Sequence, residues 1–177
     1  MVVIDDSVVR GTTLKRSILR ILDRLGPHRI VVASSAPQIR YPDCYGIDMA
    51  RMGDFVAFQA AIELHRERGN EALIEQVYLD CKAELEKPLE EQRNRVQPIY
   101  SSLTEEETAA KISELLTPKD MGAEVRIIFQ SVEGLHAAIP EHKGDWYFTG
   151  NFPTPGGNRV ANRAFVFWKE GRIERAY

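Results

Sequence analysis

The sequence is short of the residues that build disulfide frameworks and zinc sites. Its two cysteines, Cys44 and Cys81, form no CxxC pair, and its four histidines show no metal-ligand spacing. Neither a disulfide scaffold nor a structural zinc site is therefore expected. Such sparse cysteine usage fits a reducing compartment, and we expect a cytoplasmic protein.

The sequence also lacks long apolar runs and an excess of positive charge. No stretch approaches the roughly 20 apolar residues of a membrane span, and the apolar N-terminus runs straight into two aspartates, unlike a signal peptide. The formal net charge is −3. We therefore expect neither a membrane nor a nucleic acid as partner, and a phosphate ligand would have to be held locally.

The first 35 residues have the pattern of a strand–helix–strand unit. Met1-Val2-Val3-Ile4 is an apolar, β-branched run typical of a buried parallel strand. Apolar residues then recur at helical spacing over residues 13–25, and Gly26-Pro27 ends the helix. A second apolar run at residues 29–34 predicts another strand. The unit predicts an α/β fold with a right-handed crossover.

The later chain alternates helical and irregular patterns. In order, the sequence predicts helices over residues 54–68 and 70–85, a solvated linker over residues 86–97, a helix capped by Ser102 and Glu105 that ends near Leu116, a strand over residues 125–129, a loop over residues 151–158 and a short strand over residues 164–168. We expect three segments: residues 1–53 as the strand–helix–strand unit, 54–102 as a helical insertion and 103–177 as an α/β segment completing the same domain.

The segment most informative about chemistry is Val2-Val3-Ile4-Asp5-Asp6-Ser7-Val8-Val9-Arg10-Gly11-Thr12-Thr13. A strand that turns into a helix N-terminus presents unpaired N–H groups and the positive end of the helix dipole to a phosphate. Gly11 permits close approach and a positive φ, and Thr12 and Thr13 add hydroxyl donors. Asp5 and Asp6, at the carboxyl end of the strand, can accept sugar hydroxyls or hold Mg²⁺.

A purely structural interpretation of the two aspartates stays open. Paired acids before a helix often serve only as caps that complement the helix dipole. The coincidence of the whole twelve-residue pattern favours a binding site over simple capping.

The same segment resembles the phosphoribosyl-pyrophosphate (PRPP) signature of type I phosphoribosyltransferases. Two further segments resemble glutamine-dependent amidophosphoribosyltransferases, and the three follow in that family's order. The second segment is Ser34-Ser35-Ala36-Pro37-Gln38-Ile39-Arg40-Tyr41-Pro42 with Tyr45-Gly46-Ile47-Asp48-Met49. The third is Ser131-Val132-Glu133-Gly134-Leu135 with Phe148-Thr149-Gly150-Asn151-Phe152-Pro153-Thr154.

The resemblance implies a partial type I phosphoribosyltransferase fold with an added helical segment, and a reaction in which ammonia displaces pyrophosphate from PRPP to give phosphoribosylamine for purine synthesis. It implies that Asp5 and Asp6 bind the ribose hydroxyls and Mg²⁺. The expected ligand is PRPP or a purine nucleotide monophosphate. The resemblance places the 5-phosphate on Ser7, Val8, Val9, Arg10, Gly11, Thr12 and Thr13.

The chain departs from the family in three ways. The family's cysteine-led glutaminase half and the earlier transferase strands have no counterpart, so we expect a fragment that binds PRPP without turning it over alone. Some members bind an iron–sulfur cluster through a CxxC pair, but Gly144 and Tyr147 stand at those places, and no cluster is expected. Residues between Asp54 and Leu103 match nothing in the family.

Two interpretations of function therefore stay open. One is a fragment of an amidophosphoribosyltransferase, and the other is a non-catalytic nucleotide-sensing or assembly module that keeps the phosphate-binding turn. Because the first strand would lie at an exposed sheet edge, a homo-oligomer is expected.

Other conspicuous residues have ordinary structural interpretations. Cys44 fits a packed thiol, the histidines fit solvated surface, and Gly156-Gly157 fits a flexible turn. The aromatic residues Trp146-Tyr147-Phe148 and Trp168 fit core or interface packing rather than base stacking.

Overall fold

The fold is known from a computed structural model that describes residues 1–44, 49–142 and 144–176. Three strands and eight helices follow one another along these residues. They are β1 (Val2–Asp5), α1 (Leu19–Asp23), β2 (Arg29–Ser34), α2 (Val56–Glu67), α3 (Glu71–Leu85), α4 (Pro98–Ser101), α5 (Glu105–Leu116), β3 (Glu124–Phe129), α6 (Val132–Ala138), α7 (Trp146–Thr149) and α8 (Pro155–Lys169). A π-helical turn, Leu14–Ile18, leads into α1.

The strands form one parallel sheet in the order β1–β2–β3, which confirms the predicted α/β class and the first strand–helix–strand unit. One face of the sheet packs against helices. Its core combines Ile30, Val32 and Ile127 from the strands with Leu19 of α1 and Ile112 of α5. This arrangement is compatible with part of a type I phosphoribosyltransferase fold.

The first strand was correctly predicted as a strand at a sheet edge, but its predicted burial is wrong. The side chains of Val2 and Ile4 are 69% and 79% exposed. They lie on the face of the sheet that does not join the core, where Val2 is in register with Val31 and Ile4 with Ala33 and the half-exposed Ile128. The apolar composition of β1 therefore does not reflect burial in this structure.

A second core lies among the helices. Phe58 of α2, Val77 and Cys81 of α3, Ile99 of α4 and Phe165 of α8 are all buried in it. Helix α2 borders both cores because its opposite faces carry different apolar residues. The helices of residues 54–102 thus pack directly on the C-terminal helix.

The C-terminal prediction was wrong, since residues 155–169 form α8 in place of a loop and a strand. The side chain of Thr154 accepts a hydrogen bond from the Gly157 N–H, and Pro155 occupies the first turn, where its missing N–H costs nothing. Gly157 is buried against Phe152, whose ring leaves no room for a Cβ. Gly157 therefore serves close packing, and both glycines lie in the first turns of α8 rather than in a flexible turn.

Two other local predictions also need correction. The segment predicted as a solvated linker packs closely, because Gln92 and Val96 are buried. The helix cap predicted at Ser102 lies two residues later: Thr104 Oγ1 accepts from the Glu107 N–H, and the Glu107 carboxylate accepts from the Thr104 N–H. This reciprocal pair fixes the start of α5.

Candidate functional site

The loop between β1 and the π-helical turn lies at the carboxyl end of the sheet and borders a cavity of about 400 Å³. Eight of the nine site residues singled out in the sequence line this cavity, and Asp6 is not among its lining residues. The lining comprises Asp5, Ser7, Val8, Val9, Arg10, Gly11, Thr12, Thr13, Leu14, Ile18 and Met49.

The two adjacent aspartates occupy different positions. Asp5 lines the cavity, and its Oδ1 accepts a hydrogen bond of 3.1 Å from the Asp6 N–H. Asp6 is exposed, and its Oδ1 accepts a 2.6 Å hydrogen bond from the Ser7 N–H. Because β1 ends at Asp5, the Asp6 carboxylate is engaged within the turn and does not line the cavity beside Asp5. Asp6 fixes the turn, whereas Asp5 faces the cavity.

The loop is tied to the end of β2 by backbone and side-chain hydrogen bonds. The N–H groups of Ser35 and Ala36 donate to the carbonyls of Asp5 and Asp6 at 2.9 and 3.1 Å. The Ser35 hydroxyl donates to the Asp6 carbonyl at 3.1 Å. Sequence analysis placed Ser35 in a family-like segment without a role, and the structure shows that it anchors the candidate phosphate loop.

Gly11 sits at the tightest point of the loop. Its φ is +66°, in the left-handed region that favours glycine, and a Cβ there would lie 2.5 Å from both δ-carbons of Leu116 in α5. The Gly11 carbonyl accepts the first helical hydrogen bond, from the Lys15 N–H at 2.9 Å. The backbone therefore favours glycine here, and the buried Leu116 side chain would have to shift to admit a larger residue.

The start of α2 supports the loop from the other side. The Val56 N–H donates to the Val9 carbonyl at 2.8 Å, and Asp54 Oδ2 lies 3.6 Å from Arg10 Nη2. Sequence analysis missed both supporting residues. They belong to the segment that matched nothing, and no local pattern signals a contact between positions more than 40 apart.

The second family-like segment contacts the third and the residue just before its Phe148–Thr154 part. The N–H groups of Arg40 and Tyr41 both donate to the Tyr147 carbonyl, at 2.8 and 3.1 Å. Gly150, with φ of +74°, leaves no room for a Cβ against the Tyr41 ring. The buried Gln38 donates to the Glu105 carbonyl at 2.8 Å. These residues have packing roles, and the residues Tyr45-Gly46-Ile47-Asp48 lie outside the described part of the chain.

The remaining candidate residues mostly serve packing. His65 is buried, with Nε2 2.8 Å from the Ile99 carbonyl, so its predicted surface position is wrong. Cys81 is buried and its thiol donates to Asn162, and burial raises the pKa of that thiol. His136 Nε2 lies 3.3 Å from Asp145 Oδ2. Over the described residues, no three His, Cys, Asp or Glu side chains converge as a metal site.

No helix within the described ranges is both long and apolar enough to cross a bilayer. No protein-family model matches the chain. No solved structure matches it either.

Known amidophosphoribosyltransferases match part of the chain. The Pasteurella multocida enzyme is 43% identical over 58 residues, which are 33% of this chain and 11% of the relative. The Escherichia coli enzyme is 36% identical over 67 residues, 38% of this chain and 13% of the relative. The Lachancea kluyveri enzyme is 37% identical over 89 residues, which are 48% of this chain and 17% of the relative. Each match covers a small fraction of the relative. The chain therefore contains a region similar to part of the amidophosphoribosyltransferases.

Proposed function

We propose that this chain is part of an amidophosphoribosyltransferase and binds PRPP through the loop after β1. The observation that carries the proposal is the cavity of about 400 Å³, in which the Asp5 carboxylate and residues 7–13 line one space. A sugar phosphate has the matching chemistry, since hydroxyls suit the carboxylate and the phosphate suits a loop that leads into a helix.

The loop would hold the 5-phosphate through backbone N–H groups and hydroxyls. Thr12 and Thr13 precede the π-helical turn. The N–H groups at such a helix start have no acceptor within the helix and can bind a phosphate. Gly11 lets the phosphate approach the backbone, and Arg10 brings a cation to the cavity wall. Purine nucleotide monophosphates carry the same ribose 5-phosphate and would compete for this cavity.

The carboxylates are too few to hold Mg²⁺ alone, but they suit a Mg²⁺ ion that is bound together with the substrate. Such ions are held by one or two carboxylates together with substrate phosphates and water. Asp5 would hold the ion, and Asp6 would act through the turn that it fixes. Bound Mg²⁺ would supply positive charge to the leaving pyrophosphate.

In the proposed reaction, the ammonia lone pair forms a bond to C1 of the ribose while the bond from C1 to the pyrophosphate oxygen breaks. Pyrophosphate leaves with the bonding electrons, and the new ammonium group loses a proton to water to give phosphoribosylamine. Positive charge develops on the sugar as the bond breaks. The Asp5 carboxylate would stabilise that charge.

Isothermal titration of PRPP with Mg²⁺ into the chain tests the site. Asp5→Asn is expected to weaken binding at least about tenfold, equivalent to about 1.4 kcal/mol, and to remove its Mg²⁺ dependence. Asp6→Asn is expected to weaken binding less and to retain the Mg²⁺ dependence, because Asp6 acts through the Ser7 N–H. Equal effects in the two variants would contradict these separate roles.

Asp120→Asn is the matched control, since Asp120 is an exposed carboxylate paired with Arg20 away from the cavity. It is expected to leave binding unchanged. No heat from ribose 5-phosphate, PRPP or AMP with the unmodified chain would refute the proposal. The absence of binding would favour the alternative that the chain is an assembly module in which the loop has only a structural role.

We also propose that β1 pairs with a second copy of the chain. The carbonyls of Met1 and Asp5 accept hydrogen bonds from β2, so the backbone groups of Val2 and Ile4 face the open edge. Exposed edges with apolar side chains promote strand pairing. Size-exclusion chromatography with light scattering is expected to show a dimer or larger species.

Ile4→Lys is expected to shift this species to a monomer, because a charged edge opposes pairing. Ile173→Lys is the control, since Ile173 is 82% exposed but lies in the C-terminal tail. A monomeric unmodified chain, or equal shifts in the two variants, would contradict pairing through β1.

A further inference from the structure

Asp54 connects the unmatched helical segment to the candidate phosphate loop through Arg10, and it also pairs with Arg51. Its Oδ2 lies 3.0 Å from Arg51 Nη2 and 3.6 Å from Arg10 Nη2. Arg10 lines the cavity of about 400 Å³, whereas Arg51 and Asp54 line a neighbouring cavity of about 270 Å³. The Arg10 side chain thus bridges the candidate phosphate site and a carboxylate outside it.

The backbone fixes the position of this carboxylate relative to the loop. The Val56 N–H donates to the Val9 carbonyl at 2.8 Å, next to Arg10. Asp54 closes the turn Met52–Asp54, and the Phe55 N–H donates back to the Met52 carbonyl at 3.0 Å. The contact between Asp54 and Arg10 therefore belongs to a defined junction between α2 and the loop.

The two arginines differ in how closely they approach the carboxylate. The Arg51 contact is 0.6 Å shorter than the Arg10 contact, and it joins residues three apart in the chain. All three side chains are partly exposed, so none pays a large desolvation penalty if a contact changes. If Arg10 turns toward a phosphate, Arg51 still neutralises Asp54.

We infer that Asp54 is a positioning residue that competes with the ligand's phosphate for Arg10 and thereby sets the affinity of the site. This inference rests on the proposed binding of a ribose 5-phosphate group. Without ligand, Asp54 holds Arg10 at the cavity wall and offsets its charge. With ligand, a phosphate dianion is the stronger acceptor, and Arg10 exchanges the carboxylate for it.

The exchange of Arg10 from Asp54 to the phosphate predicts opposite changes in ligand affinity for substitutions of Asp54 and of the two arginines. Asp54→Asn is expected to bind ribose 5-phosphate about three- to tenfold more tightly, because a competing negative charge is removed. Arg51→Gln is expected to bind it more weakly, since Asp54 then pairs with Arg10 alone. Arg10→Gln is expected to weaken binding about tenfold or more.

Titration of ribose 5-phosphate into the unmodified chain, Asp54→Asn, Arg10→Gln and the double variant tests whether Asp54 acts through Arg10. The gain from Asp54→Asn is expected to vanish when Arg10 is already glutamine. Glu63→Gln is the control, because Glu63 forms a similar exposed pair with Arg66 on α2. Urea unfolding of each variant establishes that it is folded.

Three outcomes separate this inference from the proposed function. If the unmodified chain binds ribose 5-phosphate and Asp54→Asn binds it no more tightly, the inference is overturned and the proposed function stands. This result is expected if Asp54 only supports the loop. A gain that persists without Arg10 would show a general charge effect and would also overturn it. No binding by the unmodified chain refutes the proposed function itself and the inference with it.

Discussion

Replacement of Glu84 by glutamine is expected to lower the free energy of unfolding by about 3 kcal/mol at pH 7. Only 3% of the Glu84 side chain is exposed, yet its carboxylate accepts three hydrogen bonds. Lys87 Nζ and Arg95 Nε donate at 2.8 Å each, and the Arg93 N–H donates at 2.7 Å. A neutral amide would leave the half-exposed cations of Lys87 and Arg95 and the Arg93 N–H with a weaker acceptor. Urea unfolding at equilibrium measures the loss.

The same carboxylate predicts how stability depends on pH. Burial raises the pKa of Glu84, but the hydrogen bonds from Lys87, Arg95 and the Arg93 backbone outweigh it and lower the pKa from 4.5 to about 2. The folded pKa lies below the unfolded one, so the stabilisation is complete above pH 4.5 and is lost as the pH falls toward 2. The difference corresponds to about 3 kcal/mol.

Urea unfolding between pH 7 and pH 2.5 tests this dependence. The unmodified chain is expected to lose stability below pH 4.5 more steeply than Glu84→Gln does. Glu90→Gln serves as the control because Glu90 is an exposed carboxylate in the neighbouring segment. Parallel pH profiles for the unmodified chain and Glu84→Gln would contradict the assignment of the acid-sensitive group.

Gly11→Val is expected to lower the free energy of unfolding by about 3 kcal/mol and to abolish binding of ribose 5-phosphate. A non-glycine residue in the left-handed region costs about 1–2 kcal/mol, and forcing extra carbon atoms into a packed core costs about 1–3 kcal/mol. Both apply to Gly11, since its φ is +66° and the buried Leu116 occupies the space of a side chain. Urea unfolding and titration measure the two effects.

Gly26→Val separates these two costs. Gly26 has nearly the same φ, +67°, but no atom lies within 4 Å of its ideal Cβ. It is expected to show the backbone strain without the collision with Leu116. Combining Gly11→Ala with Leu116→Ala would relieve that collision. Equal destabilisation by Gly11→Val and Gly26→Val would show that the contact with α5 contributes nothing.

The sequence predicted those elements whose signals are local. The runs that became β1, β2 and β3 carry their own β-branched pattern, and Gly26 ended the first helix as expected. The predicted strand near Phe165 failed because its apolar residues are consecutive, a pattern that also suits a helix buried between others. Only the packing of α8 against α3 decides between them.

The candidate site divides in the same way. Its loop could be read from one contiguous motif, because residues 5–13 carry the turn, the acids and the hydroxyls together. The residues that support the loop could not be predicted from the sequence. Ser35, Asp54 and Leu116 contact the loop from other parts of the fold. The separate placements of Asp5 and Asp6 depend on the end of β1 at Asp5 and on the hydrogen bond from the Ser7 N–H to Asp6.

Helix α2 forms a wall common to both cores. Val56, Ala57 and Ala60 pack toward the sheet, whereas Phe58 and Ile62 pack toward α3 and α8. Unfolding of either core would remove apolar contacts from α2. Because α2 also packs in the other core, unfolding of one core would destabilise the other. We therefore expect the two cores to unfold as one cooperative unit, in which slow amide hydrogen exchange in α2 reports global unfolding rather than local opening.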